Sequence, residues 1–182
     1  ACVRKLESVR VHSRDAGRRE AFAEMMSRRL DLEVRAVDSA EAVVDGADIV
    51  STATTAREPL FDGQRLHSGS HLNIIGSNHL SKSESDAESI GRADLVACDR
   101  IDQCRIEAGE LAAAVDAGLW QWNNAVELAE IVAGSHPGRT DQRQKTVFKS
   151  VGLAIEDVAL AAELIVRARD RDIGQALPLD DT

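Results

Sequence analysis

The sequence contains no tyrosine, and its aromatic residues are only three Phe and two Trp among 182 positions. Its core must therefore rest on Ala, Val, Leu and Ile. Cysteine is equally scarce. Cys2, Cys98 and Cys104 are odd in number and low in density, so no disulfide framework is implied. Cys98 ends an apolar run and reads as a buried thiol. No Cys or His pair has the close spacing of a zinc site, and His12, His67, His71, His79 and His136 are scattered, so no metal centre is expected. No apolar run approaches the roughly 18 residues of a membrane span and no signal peptide is legible, so a cytoplasmic protein with no membrane partner is expected. Positive charge is in deficit: 22 Lys and Arg against 31 Asp and Glu leave a net charge of -9. That argues against nucleic acid or an anionic membrane as partner, though not against a local basic pocket for one small phosphate ligand.

What is present is an alternation of short apolar runs with helical patterns, in a chain long enough for one domain with a core. "SVRVHS" (8–13) reads as a strand. "DAGRREAFAEMMSRRL" (15–30) reads as an amphipathic helix whose Phe22, Met25, Met26 and Leu30 face a core. Further strands are predicted at "LEVRAV" (32–37), "DIVSTA" (48–53), "HLNIIG" (71–76), "DLVACD" (94–99) and "TVFKS" (146–150). Helices are predicted at 39–47, with Ser39 as N-cap and Asp45-Gly46 as stop, at 83–93, over most of 101–119, and at 125–134. A long, mostly apolar helix is predicted from Val151 to near Gly174; Glu156 and Asp157 near its start read as favourable charges at a helix N-terminus. Residues 1–6 read as the last turn of a helix, and 175–182 as a mobile tail. Buried-looking strands alternating with helices imply an α/β fold, a doubly wound parallel sheet with right-handed crossovers.

Such sheets bind ligands beyond the carboxyl ends of their strands. Ser13 and Arg14 follow the first strand; a small polar residue with an arginine suits an adenosine 2′-phosphate, and a surface arginine at a helix start is the alternative. "STATT" (51–55) follows the third, either a close-approach site for a ligand or a plain turn. Gly76, Ser77, Asn78 and Lys82 follow the fourth; Lys82 could pair with a phosphate or carboxylate, or be a solvated lysine. Ser150 follows the last strand as a ligand contact, a helix cap, or both. The G-x-G-x-x-G turn that should follow a first dinucleotide-binding strand occurs nowhere in the chain.

Seven stretches together resemble the ornithine cyclodeaminase/mu-crystallin family: "VRVHSR", "DGADIVSTATTAREPLF", "GSHLNIIGSNHLSKSESD", "ADLVACD", "EAGEL", "ELAEIVAGSHPGRT" and "VFKSVGLAIEDVALAA". The resemblance implies a Rossmann-like, NAD(P)-dependent enzyme for small α-amino or α-imino acids, homodimeric when full length, with NADP(H) favoured over NAD(H). By position it makes Ser13 and Arg14 the adenosine-ribose contact, and Thr52, Thr54 and Thr55 the lining beside the cofactor. Gly76 and Ser77 become the turn beside the nicotinamide, Lys82 a cofactor-region cation, and Ser150 a neighbour of the carboxamide. Asn78 stands where cyclodeaminases carry a catalytic Asp; an amide takes no proton as a carboxylate does, which favours imine reduction over ornithine deamination. The family's N-terminal half, with the substrate pocket, first strand and Gly-rich turn, has no counterpart in the sequence. Residues 1–174 are thus expected to be a partial NAD(P)-binding domain with two unpaired strand edges. The alternatives are a catalytically inactive, mu-crystallin-like binding protein or a non-functional fragment.

Overall fold

The computed structural model describes residues 3–175 and 177. The expected tail therefore lies, apart from Gln175 and Leu177, outside the described residues, as does Cys2. The chain divides into two units, Ala1–Val151 and Gly152–Thr182.

The first unit runs β1 (Ser8–Val11), α1 (Ala16–Leu30), β2 (Glu33–Ala36), α2 (Ala40–Val44), β3 (Ile49–Thr52), β4 (His71–Ile74), α3 (Ala87–Gly91) and β5 (Leu95–Cys98). It continues with α4 (Ile101–Glu107), α5 (Gly109–Asp116), β6 (Ala125–Glu127), α6 (Leu128–Val132) and β7 (Thr146–Lys149). Helix starts follow local chemistry: Asp15 accepts from the Arg18 N–H at 2.9 Å, Ser39 from Ala42 N–H at 3.2 Å, and Asp86 from Ser89 N–H at 2.8 Å.

All pairings are parallel. One sheet holds β1 and β2, the other has the order β3-β4-β7-β5-β6. The last strand in sequence is thus the middle one in space, and its Val147 and Lys149 are buried. Val50, Leu72, Ile74, Val96, Cys98 and Val147 from the strands pack with Ile90, Cys104, Leu111 and Ala114 from the helices, and Phe61 and Trp120 join this largely aliphatic core. Among the described residues, β1 pairs only with β2 and β3 only with β4. The two unpaired edges expected from the sequence are those of β1 and β3.

Several expectations need correction. Of α1 only Ala23 is buried, while Phe22, Met25 and Leu30 are exposed, because the narrow β1-β2 ribbon offers little area to cover a helix face. The predicted helix at 125–134 opens as a three-residue edge strand, since Ala125–Glu127 complete the β5 ladder. The helix predicted over 101–119 breaks at Ala108, whose backbone is extended. Residues 3–4 form a bend and 5–6 have no regular structure, so the helical turn expected there is not formed by the described residues.

The second unit is α7 (Ala154–Asp170). Its N-cap is Leu153, with no side-chain cap, so Ser150 is not the cap the sequence suggested. Glu156 and Asp157 lie in its first turn as expected, and Arg167 and Arg169 in its last, both favourable to the helix dipole. Ile155, Val158, Leu160, Leu164, Ile165 and Val166 are exposed along it. No described helix is long and apolar enough to cross a membrane.

Candidate functional site

Strand register sets the site. Thr52 pairs with Ile74, Ile74 with Lys149, and Lys149 with Cys98, so four strands finish in one row. The segments leaving that row, from Ala53, Ile75, Asp99 and Ser150, emerge on one side of the sheet. β1 ends on the other flank at His12–Arg14, where His12 Nδ1 lies 3.0 Å from the Val37 carbonyl. Between these flanks is a cavity of about 780 Å³, walled by Ser13 and Arg14, by Asp38, and by Thr52, Thr54 and Thr55.

The structure thus brings five sequence-predicted residues to one cavity. Arg14 is exposed there. Arg19, from the same helix start, is committed elsewhere: its guanidinium pairs with Asp38 and donates to the Ser13 carbonyl. Thr52 is buried and its hydroxyl turns into the fold, toward the Asn73 carbonyl at 3.3 Å and Glu84 Oε2 at 3.0 Å. Thr54 and Thr55 remain exposed.

Gly76, Ser77, Asn78, Lys82 and Ser150 form a second cluster that does not line this cavity. It abuts the first, because a Cβ at Gly76 would stand 2.3 Å from Thr54 N; only glycine permits that approach. Lys82 Nζ donates to Asn78 Oδ1 at 3.3 Å, so the two polar tips of the turn meet. Ser150 N–H donates to the Ile74 carbonyl at 3.0 Å, placing Ser150 beside the Gly76 turn. Ser77 differs from expectation in one respect. Its side chain is fully buried, donating to Glu110 and accepting from Lys149 Nζ at 2.6 Å, so the hydroxyl supports the turn from beneath.

Sequence reasoning missed the supports. Glu84, Glu110 and Lys149 are completely buried. The Glu84 carboxylate accepts from Thr54 N–H and from Gly76 N–H at 2.7 Å. Glu110 accepts from Glu84 N–H at 2.8 Å, and its other oxygen lies 3.4 Å from Lys149 Nζ. Asp99 accepts from Arg100 N–H at 2.8 Å, Val151 N–H at 2.8 Å and the Ser150 hydroxyl at 2.9 Å, fixing the exit from β7. The one available signal was a lysine interrupting the apolar run "TVFKS". The break at Ala108 also finds its reason here. A Cβ at Gly109 would stand 2.3 Å from the Lys82 carbonyl, so "EAGEL" is shaped to seat the 76–82 turn. "HPGRT" sits at the opposite ends of the strands, where the Arg139 guanidinium gathers the carbonyls of Gly69, Gln142 and Gln144.

The two described thiols lie inside the fold. Cys98 and Cys104 are buried, and hydrogen bonding to Cys98 together with burial pushes the Cys104 thiol far up. No cluster of His, Cys, Asp and Glu among the described residues could hold a metal ion.

The model of the ornithine cyclodeaminase/mu-crystallin family matches residues 1–172. The chain belongs to that family. It is 31% identical over 176 residues to a Δ1-pyrroline-2-carboxylate reductase of Bacillus cereus, covering 96% of this chain and 54% of that protein. Among solved structures, it is similar to the Thermococcus litoralis Δ1-pyrroline-2-carboxylate reductase in complex with NADH and L-proline. There the TM-score is 0.89 at 34% identity, over 96% of this chain and 54% of the other. An archaeal alanine dehydrogenase dimer with bound NAD gives a TM-score of 0.82 at 25% identity, over 96% and 53%. The chain spans about half the length of the curated relatives it matches. The family's fold is the Rossmann-like doubly wound sheet expected from the alternation of strands and helices.

Proposed function

We propose that this chain forms the cofactor-holding part of an NAD(P)-dependent oxidoreductase for small α-imino or α-amino acids, with NADP(H) preferred over NAD(H). The observation that carries the reading is the row of strand ends, with Arg14 on one flank of the adjoining cavity and the Gly76 turn against the other. The residues present fit a dinucleotide in part. A guanidinium and exposed hydroxyls face the cavity, whereas no Gly-rich turn exists in the sequence to cradle a pyrophosphate. The relatives described with NADH and with NAD support the class of cofactor.

When bound, the nicotinamide supplies or accepts a hydride at its C4. On this reading Ser13 and Arg14 hold the adenosine 2′-phosphate, and Thr52, Thr54 and Thr55 line the path between. Gly76, Ser77 and Ser150 shape the nicotinamide end. Lys82 brings a positive charge for a phosphate or a substrate carboxylate. Asn78 orients the substrate amine or a water, and because it takes no proton as a carboxylate does, imine reduction is favoured over deamination. The same residue supports a second reading, a cofactor-binding protein without turnover. Assay of cyclic imines and of keto acids with amines separates the two. The full-length protein is further proposed to act in the cytoplasm as a homodimer.

The test is a fluorescence titration of the full-length gene product with NADPH and NADH. Arg14→Asp should weaken NADPH by about tenfold or more, the loss of one charge-assisted contact plus a new repulsion, and leave NADH nearly unchanged. Equal loss for both cofactors would refute the 2′-phosphate role; no binding of either would refute the cofactor reading.

A further inference from the structure

Beyond the last rung of the β3-β4 ladder, where Ile75 N–H donates to the Thr52 carbonyl at 3.0 Å, two backbone donors converge. They are Thr54 N–H and Gly76 N–H, and a single side chain, Glu84, accepts from both, one on each carboxylate oxygen. The oxygen that takes Gly76 N–H also takes the Thr52 hydroxyl at 3.0 Å. Three donors facing one group require an acceptor with two oxygens and no hydrogen of its own, which among side chains is a carboxylate. An amide would present one oxygen and one NH2, setting donor against donor at one of the two turns. Glu84 is also anchored from behind: its N–H donates to Glu110 and its carbonyl accepts from Leu60 N–H at 3.1 Å. The turns it joins are in close contact, since a Cβ at Gly76 would lie 2.4 Å from the Thr54 carbonyl oxygen and 2.5 Å from Glu84 Oε1.

We propose that Glu84 is the positioning residue that sets the separation of the two cofactor-facing turns, so that dinucleotide affinity depends on a side chain sealed away from the ligand. This rests on the cofactor reading above. Glu84 is completely buried and lies behind both turns, so it acts through Thr54 and Gly76.

A nearby carboxylate provides the control. Asp86 also accepts three donors, Gly63 N–H at 2.9 Å, Ser89 N–H at 2.8 Å and the Ser89 hydroxyl at 2.7 Å. It ties the Gly63–Arg65 turn to α3, and neither carries a residue assigned to the ligand. Neutralising Asp86 disturbs a comparable hydrogen-bond set whose donors lie outside both cofactor turns.

The experiment measures the NADPH and NADH dissociation constants and the melting temperature of the full-length gene product and of Glu84→Gln, Glu84→Asp and Asp86→Asn. Glu84→Gln should raise the dinucleotide dissociation constant about tenfold or more, the consequence of one unsatisfied buried donor at the turn. Glu84→Asp, which keeps the charge but withdraws it, should give a smaller rise, and Asp86→Asn should lower the melting temperature with affinity kept within about twofold of wild type. Wild-type affinity in Glu84→Gln, or an equal loss in Asp86→Asn, overturns the proposal. If Glu84→Gln does not fold, an unchanged dissociation constant in Glu84→Asp overturns it instead, and a raised one supports it. If the wild type binds neither dinucleotide, the cofactor reading fails and the proposal falls with it, an outcome distinct from a wild type that binds and a variant that binds equally.

Discussion

Replacing Lys149 by methionine should be among the most destabilising single changes available in this chain. Lys149 Nζ lies 3.4 Å from Glu110 Oε2, with both side chains fully buried. At an effective dielectric of about 20, that separation corresponds to an attraction of about 5 kcal/mol, part of which is offset by the desolvation of both groups. Removing only the cation leaves the buried Glu110 charge without a counter-charge, and Glu110 Oε2 has no hydrogen-bond partner among the described residues to replace it. It also strips the Ser77 carbonyl and hydroxyl of the ammonium that donates to both. The expected cost of Lys149→Met is about 3–5 kcal/mol, the range for breaking one side of a buried pair. The double variant Lys149→Met/Glu110→Gln should cost much less than the sum of its singles, because no uncompensated charge remains. Urea unfolding followed by circular dichroism gives each value as the product of midpoint shift and slope. A cost under about 1 kcal/mol for Lys149→Met, or strict additivity in the double variant, would refute the view that this pair is electrostatically coupled.

Gly76→Ala should destabilise the protein by about 1–3 kcal/mol and weaken dinucleotide binding in titrations, since its methyl group would press on Thr54 backbone atoms 2.3–2.4 Å away. Full retention of both properties would mean that the turns separate freely. His71 lies at the start of β4, where its Nδ1 is 2.7 Å from the Thr146 hydroxyl and its Nε2 is 3.1 Å from Asn73 Oδ1. Burial holds its pKa below the ordinary histidine value of 6.5, so the unfolded chain takes up the proton first. Stability from His71 is therefore complete above pH 6.5 and is lost as pH falls below that value toward the lowered folded-state pKa, with a slope of at most about 1.4 kcal/mol per pH unit. His71→Asn should flatten that part of the unfolding-midpoint profile; an unchanged slope would assign it to other groups.

The layered fold was legible because its strands are short apolar runs bounded by Gly, Asp or Ser, and because Ser39 caps its helix in the way its position suggests. Periodicity was weaker evidence for burial. Phe22, Met25 and Leu30 share a face of α1, yet a face buries only if a neighbour covers it, and the β1-β2 ribbon is too narrow. The edge strand at Ala125–Glu127 escaped because three residues carry no period, and only the β5 ladder makes them a strand.

Strand ends could be read residue by residue, and Ser13, Arg14, Thr54 and Thr55, singled out that way, line one cavity. Its supports were not legible, because the position of a charge along the chain says nothing about which backbone donors it will meet. Glu84 takes its partners from the ends of β3 and β4, and Lys149 reaches Ser77 across 72 residues of sequence. Glu84 is tolerated because strand-end donors converge on its carboxylate, and Lys149 because its ammonium meets acceptors, the Ser77 carbonyl and hydroxyl. A Glu in a polar stretch such as "SKSESD", a Glu after an Ala-Gly pair, and a Lys inside a central apolar strand are ambiguous singly. Only the fold brings them together, as a layer of charge held out of water beneath the Gly76 turn.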